Sequence, residues 1–270
     1  MLEKFKDWLL MNGNTYTTAK MYQCRINKIL SVIKEENLSE ETITKFMIEL
    51  QKTNSVSTFN GYITALTVYL RFLKKDIPLP KVLKGMKTLP ESMSELQMEK
   101  LIDTLSQILK RDFIKVKALF YFLFYSGIRI GEINTLKRAD FDFTRKEVKI
   151  LGEKTKEERI VTFEIKTKNA LEEYFASEEE KTNAFNINSN AVQQRLKDMK
   201  KYVPDMNLHA HIFRHSFARY CLEVLGTDIL TVSKLMGHAN LITTERYLRL
   251  TDTQFRDIYH KKADNLEKKA

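Results

Sequence analysis

Cysteine is scarce in this sequence, which holds only Cys24 and Cys221. Two thiols are too few for a disulfide framework or a cysteine-built zinc cluster, so the fold must rest on a packed core. Both are expected as small buried residues in a reducing cytosol. Long apolar runs are also missing. The longest, around Ala118–Tyr125, is too short to span a bilayer, and the N-terminus carries no apolar leader-like run. A soluble cytoplasmic protein with no membrane partner is expected. Proline numbers 4 in all, and Pro78, Pro80 and Pro90 fall with Gly85 and several lysines between Asp76 and Glu91. Such a cluster marks a linker. No internal repeat and no long low-complexity tract occurs.

Hydrophobic residues make up 43% of the 270, enough to build one large domain or two modest ones around a real core. The formal net charge is +10. That favours a polyanionic partner, because cationic side chains that neutralise phosphates release condensed counterions. Residues 1–88 carry 14 Lys and Arg against 8 Asp and Glu, while the longer remainder carries 31 against 27. The N-terminal part is the more basic for its length, as a DNA-clamping module should be. Charge alone does not decide the matter, since many basic proteins bind no nucleic acid.

Periodicity predicts helices first. Phe5, Trp8 and Leu9 share one helix face, and Gly13 can end that helix. Tyr22, Ile26, Ile29, Leu30 and Ile33 mark a second. Ile43, Phe46, Met47 and Leu50 mark a third, capped by Ser39. Phe59, Tyr62, Ile63, Leu66, Tyr69, Leu70 and Leu73 mark a fourth. Four such helices can close around one small core. Beyond the linker, Ser94 and Gln97 form a capping box ahead of Leu101, Ile102, Leu105, Ile108 and Leu109. A helical run then ends at Ser126-Gly127, and a short helix is expected over Glu132–Leu136. Val148 and Ile150 alternate with charged residues, and Ile160, Val161 and Phe163 follow the polar stretch Gly152–Glu158, which reads as a β-hairpin. Further helices are expected over Lys166–Phe175, Ala191–Tyr202, His211–Val224, Ile229–Met236, Ile242–Leu248 and from Thr253 toward Lys262.

Four short motifs carry possible chemistry. In His211-Ile212-Phe213-Arg214, an imidazole and a guanidinium three residues apart can face one phosphate, though a surface pair is the commoner meaning of such a motif. His209, His211 and His215 lack the glutamate of the zinc-protease pattern and have no acidic or cysteine ligand near, so no metal is expected and His215 reads as a packed histidine. Leu235-Met236-Gly237-His238 precedes Thr243-Thr244-Glu245-Arg246-Tyr247. A phenol attacks a phosphodiester usefully only when nearby cations stabilise the developing charge. In Ser126-Gly127-Ile128-Arg129-Ile130-Gly131-Glu132, an arginine follows a glycine turn, and Glu132 can orient its guanidinium. Lys154 and Lys156 sit at the expected hairpin tip, where a solvated turn is the ordinary reading.

Taken together, these motifs resemble the tyrosine recombinases of the phage integrase family, especially simple two-domain Xer-like enzymes. The resemblance spans nearly the whole chain. It is most specific from His211 to Tyr247, with the Ser126–Ile133 box next. It implies a mainly α fold: an N-terminal four-helix SAM-like core-binding, DNA-clamping domain over 1–76, a linker over 77–92, and a mostly helical catalytic domain with a small β-hairpin or sheet over 93–270. It implies cleavage and rejoining of double-stranded DNA through a 3′-phosphotyrosine on Tyr247, with Arg129 and Arg214 holding the scissile phosphate. His211 would help proton transfer from Tyr247, and His238 would contact the phosphate. The leaving-oxygen acid is Lys154 or Lys156; counting back from Arg159 favours Lys154, whereas counting from Gly152 puts Glu153 in that slot. A homo- or hetero-tetramer on synapsed DNA follows, with neither metal nor small-molecule cofactor. The tail bearing Phe255, Ile258 and Tyr259 would dock on a neighbouring subunit or on its own domain. The rival readings are a type IB topoisomerase-like nicking-closing enzyme and a non-catalytic DNA-binding regulator of the same fold.

Overall fold

The structure is a computed structural model that describes residues 1–85, 90–152 and 157–237. The chain divides into two compact units, Met1–Lys87 and Thr88–Ala270. Its described residues are mainly helical, with one small antiparallel sheet.

The first unit holds α1 (Leu2–Met11), α2 (Tyr16–Leu30), α3 (Glu40–Thr53) and α4 (Val56–Leu73). Each of the last three starts where a hydroxyl accepts a main-chain N–H: Thr15 from Thr18, Ser39 from Thr42 and Ser55 from Thr58. Those caps satisfy donors that the first helical turn leaves without partners. Phe5, Leu9, Ile26, Ile29, Ile43, Met47, Phe59, Leu66 and Tyr69 form a common core. The expected apolar stripes thus face inward. Tyr69 meets Phe5 edge-on at 4.9 Å and donates from its hydroxyl to Glu35 Oε2 at 2.7 Å. Ile77, Leu79 and Leu83, in the stretch expected to link the domains, pack against this core. Asn60 pins the segment through bonds to the main chain of Leu83 at 2.8 and 2.9 Å. Cys24 is exposed on α2, contrary to expectation, while Cys221 is buried. Cys24 falls between inward-turned Ala19 and Ile26 but off their stripe.

The second unit is built around α6 (Phe113–Ser126), which follows α5 (Glu95–Ile108). The reciprocal Ser94–Gln97 capping box opens α5. Every residue of α6 from Ala118 to Ser126 is buried, so this stretch of the helix has no polar face and serves as the axis of the core. Phe120 meets Phe213 at 5.0 Å, and Phe122 meets Phe141 at 5.3 Å and Phe185 at 5.5 Å. Burying one such side chain contributes about 1.5–3 kcal/mol. The sheet has three strands, β1 (Phe141–Asp142), β2 (Glu147–Leu151) and β3 (Glu158–Thr162), in the order β1-β2-β3. Val148 pairs with Val161 and Ile150 with Arg159. Val148, Ile150 and Val161 are buried. Ile160, expected among the apolar strand residues, instead faces solvent at 58% exposure, because alternation turns its neighbours Arg159 and Val161 the other way.

Around this frame lie α7 (Ile165–Ser177), α8 (Ser189–Met199), α9 (Ile212–Glu223) and α10 (Ile229–Met236). Phe217, Ala218 and Cys221 of α9 and Val232 and Met236 of α10 form a second, smaller apolar cluster. The expected short helix after Arg129 is a 3-10 turn over Ile130–Asn134. The two expected helices beyond Met236 lie outside the described residues, as does the hairpin tip.

Candidate active site

Arg214 enters the site from the first turn of α9 and is 5% exposed. Its Nη1 donates to Gly127 O and its Nη2 to Met236 O, both at 2.6 Å. These carbonyls close the C-terminal ends of α6 and α10, where aligned peptide dipoles leave partial negative charge. The local sequence explains the approach. Gly127 adopts φ +61°, and a Cβ there would stand 2.1 Å from Phe217 Cδ1. Only glycine lets α6 turn off beneath α9 at this point.

Arg129 arrives from the other side of that turn. Its Nη2 donates to Gly237 O at 2.9 Å. The two arginines expected to hold the phosphate are therefore anchored on consecutive carbonyls, Met236 and Gly237, at the turn that leads in sequence to His238. His211 is the residue immediately before α9 and is exposed, so the His-x-x-Arg motif spans the helix entry. Its ring centroid lies 6.1 Å from that of His215. Among the described residues no group of three or more His, Cys, Asp or Glu is placed to hold a metal ion. Lys154, Lys156, His238 and Tyr247 lie outside the described residues.

Behind Arg129 lies Glu132, whose side chain has no exposed surface. It accepts from Arg129 N at 2.8 Å and from Arg129 Nη1 at 3.3 Å. It also accepts a bidentate pair from Arg159, Nη1 at 2.9 Å and Nη2 at 2.7 Å. Burial pushes the Glu132 carboxyl up, but the hydrogen bonds and charge of Arg159, with those of Arg129 behind them, outweigh it and hold the group below the usual carboxylate range. The expected Arg129–Glu132 pair is present. By motif spacing, Arg159 does no more than fix the count to the lysines. The signal that would have found it is the period of β3: Arg159 shares a face with Val161 and Phe163, both buried.

Three phenols of this unit are committed to carboxylates: Tyr121 to Glu99, Tyr125 to Glu95 and Tyr220 to Glu164. Burial first, then the neighbouring carboxylate, pushes each above the usual phenol range. That is the opposite of what a nucleophile needs.

Residues 91–254 match the phage integrase family. Across 97% of its length the chain is 29% identical to the tyrosine recombinase XerA of Pyrococcus horikoshii, covering 93% of that protein. Among solved structures, the fold is similar to that of the Tn1549 transposon integrase in complex with transposon right-end DNA, with a TM-score of 0.75 at 15% identity over 97% of this chain and 99% of that one. It is also similar to the XerH site-specific recombinase bound to its difH substrate, with a TM-score of 0.71 at 20% identity over 90% and 78%. The chain belongs to the phage integrase family and is a tyrosine recombinase, an enzyme that breaks and rejoins DNA in site-specific recombination.

Proposed function

We propose that Tyr247 is the nucleophile, and that Arg129, Arg214 and His238 hold the phosphate it attacks. The observation that carries this reading is the convergence of Arg129 and Arg214 on the Met236–Gly237 turn, one residue short of His238 in the chain. Two guanidiniums brought to one turn supply the fork-shaped donors that a phosphate's non-bridging oxygens accept. The Tyr247 hydroxyl attacks in line, a tyrosine O–P bond forms, and the bond to the 5′ oxygen breaks. His211 helps remove the phenol proton, and Lys154, with Lys156 as the alternative, delivers a proton to the departing 5′ oxygen. The pentavalent state carries extra charge, which the fixed cations stabilise without rearranging. A 3′-phosphotyrosine remains and keeps the energy of the ester. The 5′ hydroxyl of a partner strand then reverses the chemistry and exchanges strands, with no need of ATP or metal.

The more basic N-terminal domain, residues 1–76, would clamp duplex DNA, and residues 93–270 would carry the catalysis. Exchange between two duplexes requires a homo- or hetero-tetramer on synapsed DNA. We place this work in the cytoplasm; among the described residues no helix is long and apolar enough to cross a membrane.

The test is a duplex carrying a nick beside the cleavage position, so that the short released strand diffuses away. The unsubstituted chain should give a protein–DNA adduct that survives denaturant, and Tyr247→Phe should give none. An equal adduct from the variant would remove Tyr247 from its role.

A further inference from the structure

Arg159 has no part in the steps above, yet it is built into the site. It lies on β3 opposite Ile150, and its side chain is 15% exposed. Its paired terminal nitrogens match the two oxygens of Glu132, a fit that a guanidinium makes and an ammonium does not. Arg129 reaches the same carboxylate with its side chain through one longer bond, 3.3 Å from Nη1, and spends Nη2 on Gly237 O. The flank of Arg159 lies against Gly237. A Cβ there would come within 2.9 Å of Arg159 Nε and 3.0 Å of Cδ, and Gly237 adopts φ +62°.

The charges explain why two guanidiniums share one buried carboxylate. A buried carboxylate facing Arg129 alone would close a bidentate pair on it, cancel its charge and turn its fork away from a phosphate. Arg159 occupies both oxygens first. Arg129 then stays oriented, through its main-chain N–H and one side-chain bond, while the group of three keeps a net positive charge.

We propose that Arg159 is a positioning residue for strand cleavage: it saturates Glu132 so that Arg129 is aimed without being neutralised, and it supports the Gly237 turn on which Arg129 rests. This rests on the reading that Arg129 holds the scissile phosphate.

The experiment uses the full chain, the nicked duplex and single-turnover adduct formation. The scissile position carries either a phosphate or a methylphosphonate, which lacks one non-bridging charge. On phosphate, Arg159→Met should cleave about 10²-fold more slowly, the order of losing one fixed donor to the developing charge. On methylphosphonate the deficit relative to the unsubstituted chain should shrink to within roughly threefold, because the charge that Arg129 serves is reduced. Arg159→Lys keeps the charge and loses the fork. It should stay about tenfold slow on phosphate with the same relief, and it carries the test if Arg159→Met fails to fold. Glu132→Gln combined with Arg159→Met should be no slower than the slower single variant, since both act through one carboxylate.

An equal deficit on both substrates would make Arg159 a merely structural brace and overturn the proposal. Deficits that multiply in the double variant would show Arg159 acting apart from Glu132, and a full rate from Arg159→Lys would show that its fork is not needed; either overturns it too. No adduct from the unsubstituted chain would strike the recombinase reading itself, and this inference with it.

Discussion

Glu132 concentrates the electrostatics of the site in one residue. Its carboxylate is sealed from solvent between two guanidiniums, whose hydrogen bonds and charge, Arg159's before Arg129's, keep it ionised against burial. Glu132 holds its proton more weakly in the folded protein than in the unfolded chain. Its contribution to stability is therefore fully present above the usual carboxylate range and is lost as pH falls through the lower folded value. Glu132→Gln should destabilise the protein by about 3 kcal/mol near neutral pH, the order for breaking a buried ion pair. That difference should narrow as urea midpoints are measured at progressively more acid pH. A difference that stays constant with pH would show that the carboxylate's charge is not what matters. Motif spacing in the sequence was enough to pair Arg129 with Glu132. It did not reveal Arg159, because a charged strand residue reads as solvent-facing until the inward phase of Val161 and Phe163 is counted against it. The exposure of Cys24 was missed for a related reason: scarcity and residue type say nothing about which helix face a thiol occupies.

The turn at Gly127 links local backbone conformation to the placement of Arg214. Its left-handed conformation, its close contact with Phe217 and its carbonyl bond to Arg214 all meet in one residue. Gly127→Ala adds a Cβ where none fits and strains φ. It should cost at least about 2 kcal/mol from overpacking and the left-handed conformation together, and should slow adduct formation as well. A variant with unchanged urea midpoint and cleavage rate would mean that the turn adapts freely. Most helices were legible because amphipathic stripes and hydroxyl caps are local signals. Those at Ser39, Ser94 and Ile229–Met236 fall where the pattern puts them. The 3-10 turn after Arg129 read as a short helix, since its tightening is imposed by Glu132 reaching back to the Arg129 N–H. The two-residue β1 is too short to show any period.

Across the whole molecule, the two units own separate apolar cores, one gathered on Phe5, Leu66 and Tyr69 and the other on α6. Unfolding should reflect this division. Phe122→Ala removes a ring packed among Phe141, Phe163 and Phe185 and should lower the stability of the second unit by about 3–5 kcal/mol. Two calorimetric transitions are expected, with only one displaced by the substitution; displacement of both by equal amounts would mean the units melt as one. Packing within the second unit is equally uneven among the described residues. Its central helix is buried on every face from Ala118 to its end, and the Gly127 carbonyl that follows holds Arg214. The other anchor, Met236, ends an eight-residue helix that, among the described residues, sits in a smaller apolar cluster with Phe217, Ala218, Cys221 and Val232. A phosphate that competes for Arg214 would therefore meet two unlike mountings, one set in the thick of the core and the other at the end of a short helix on a smaller cluster.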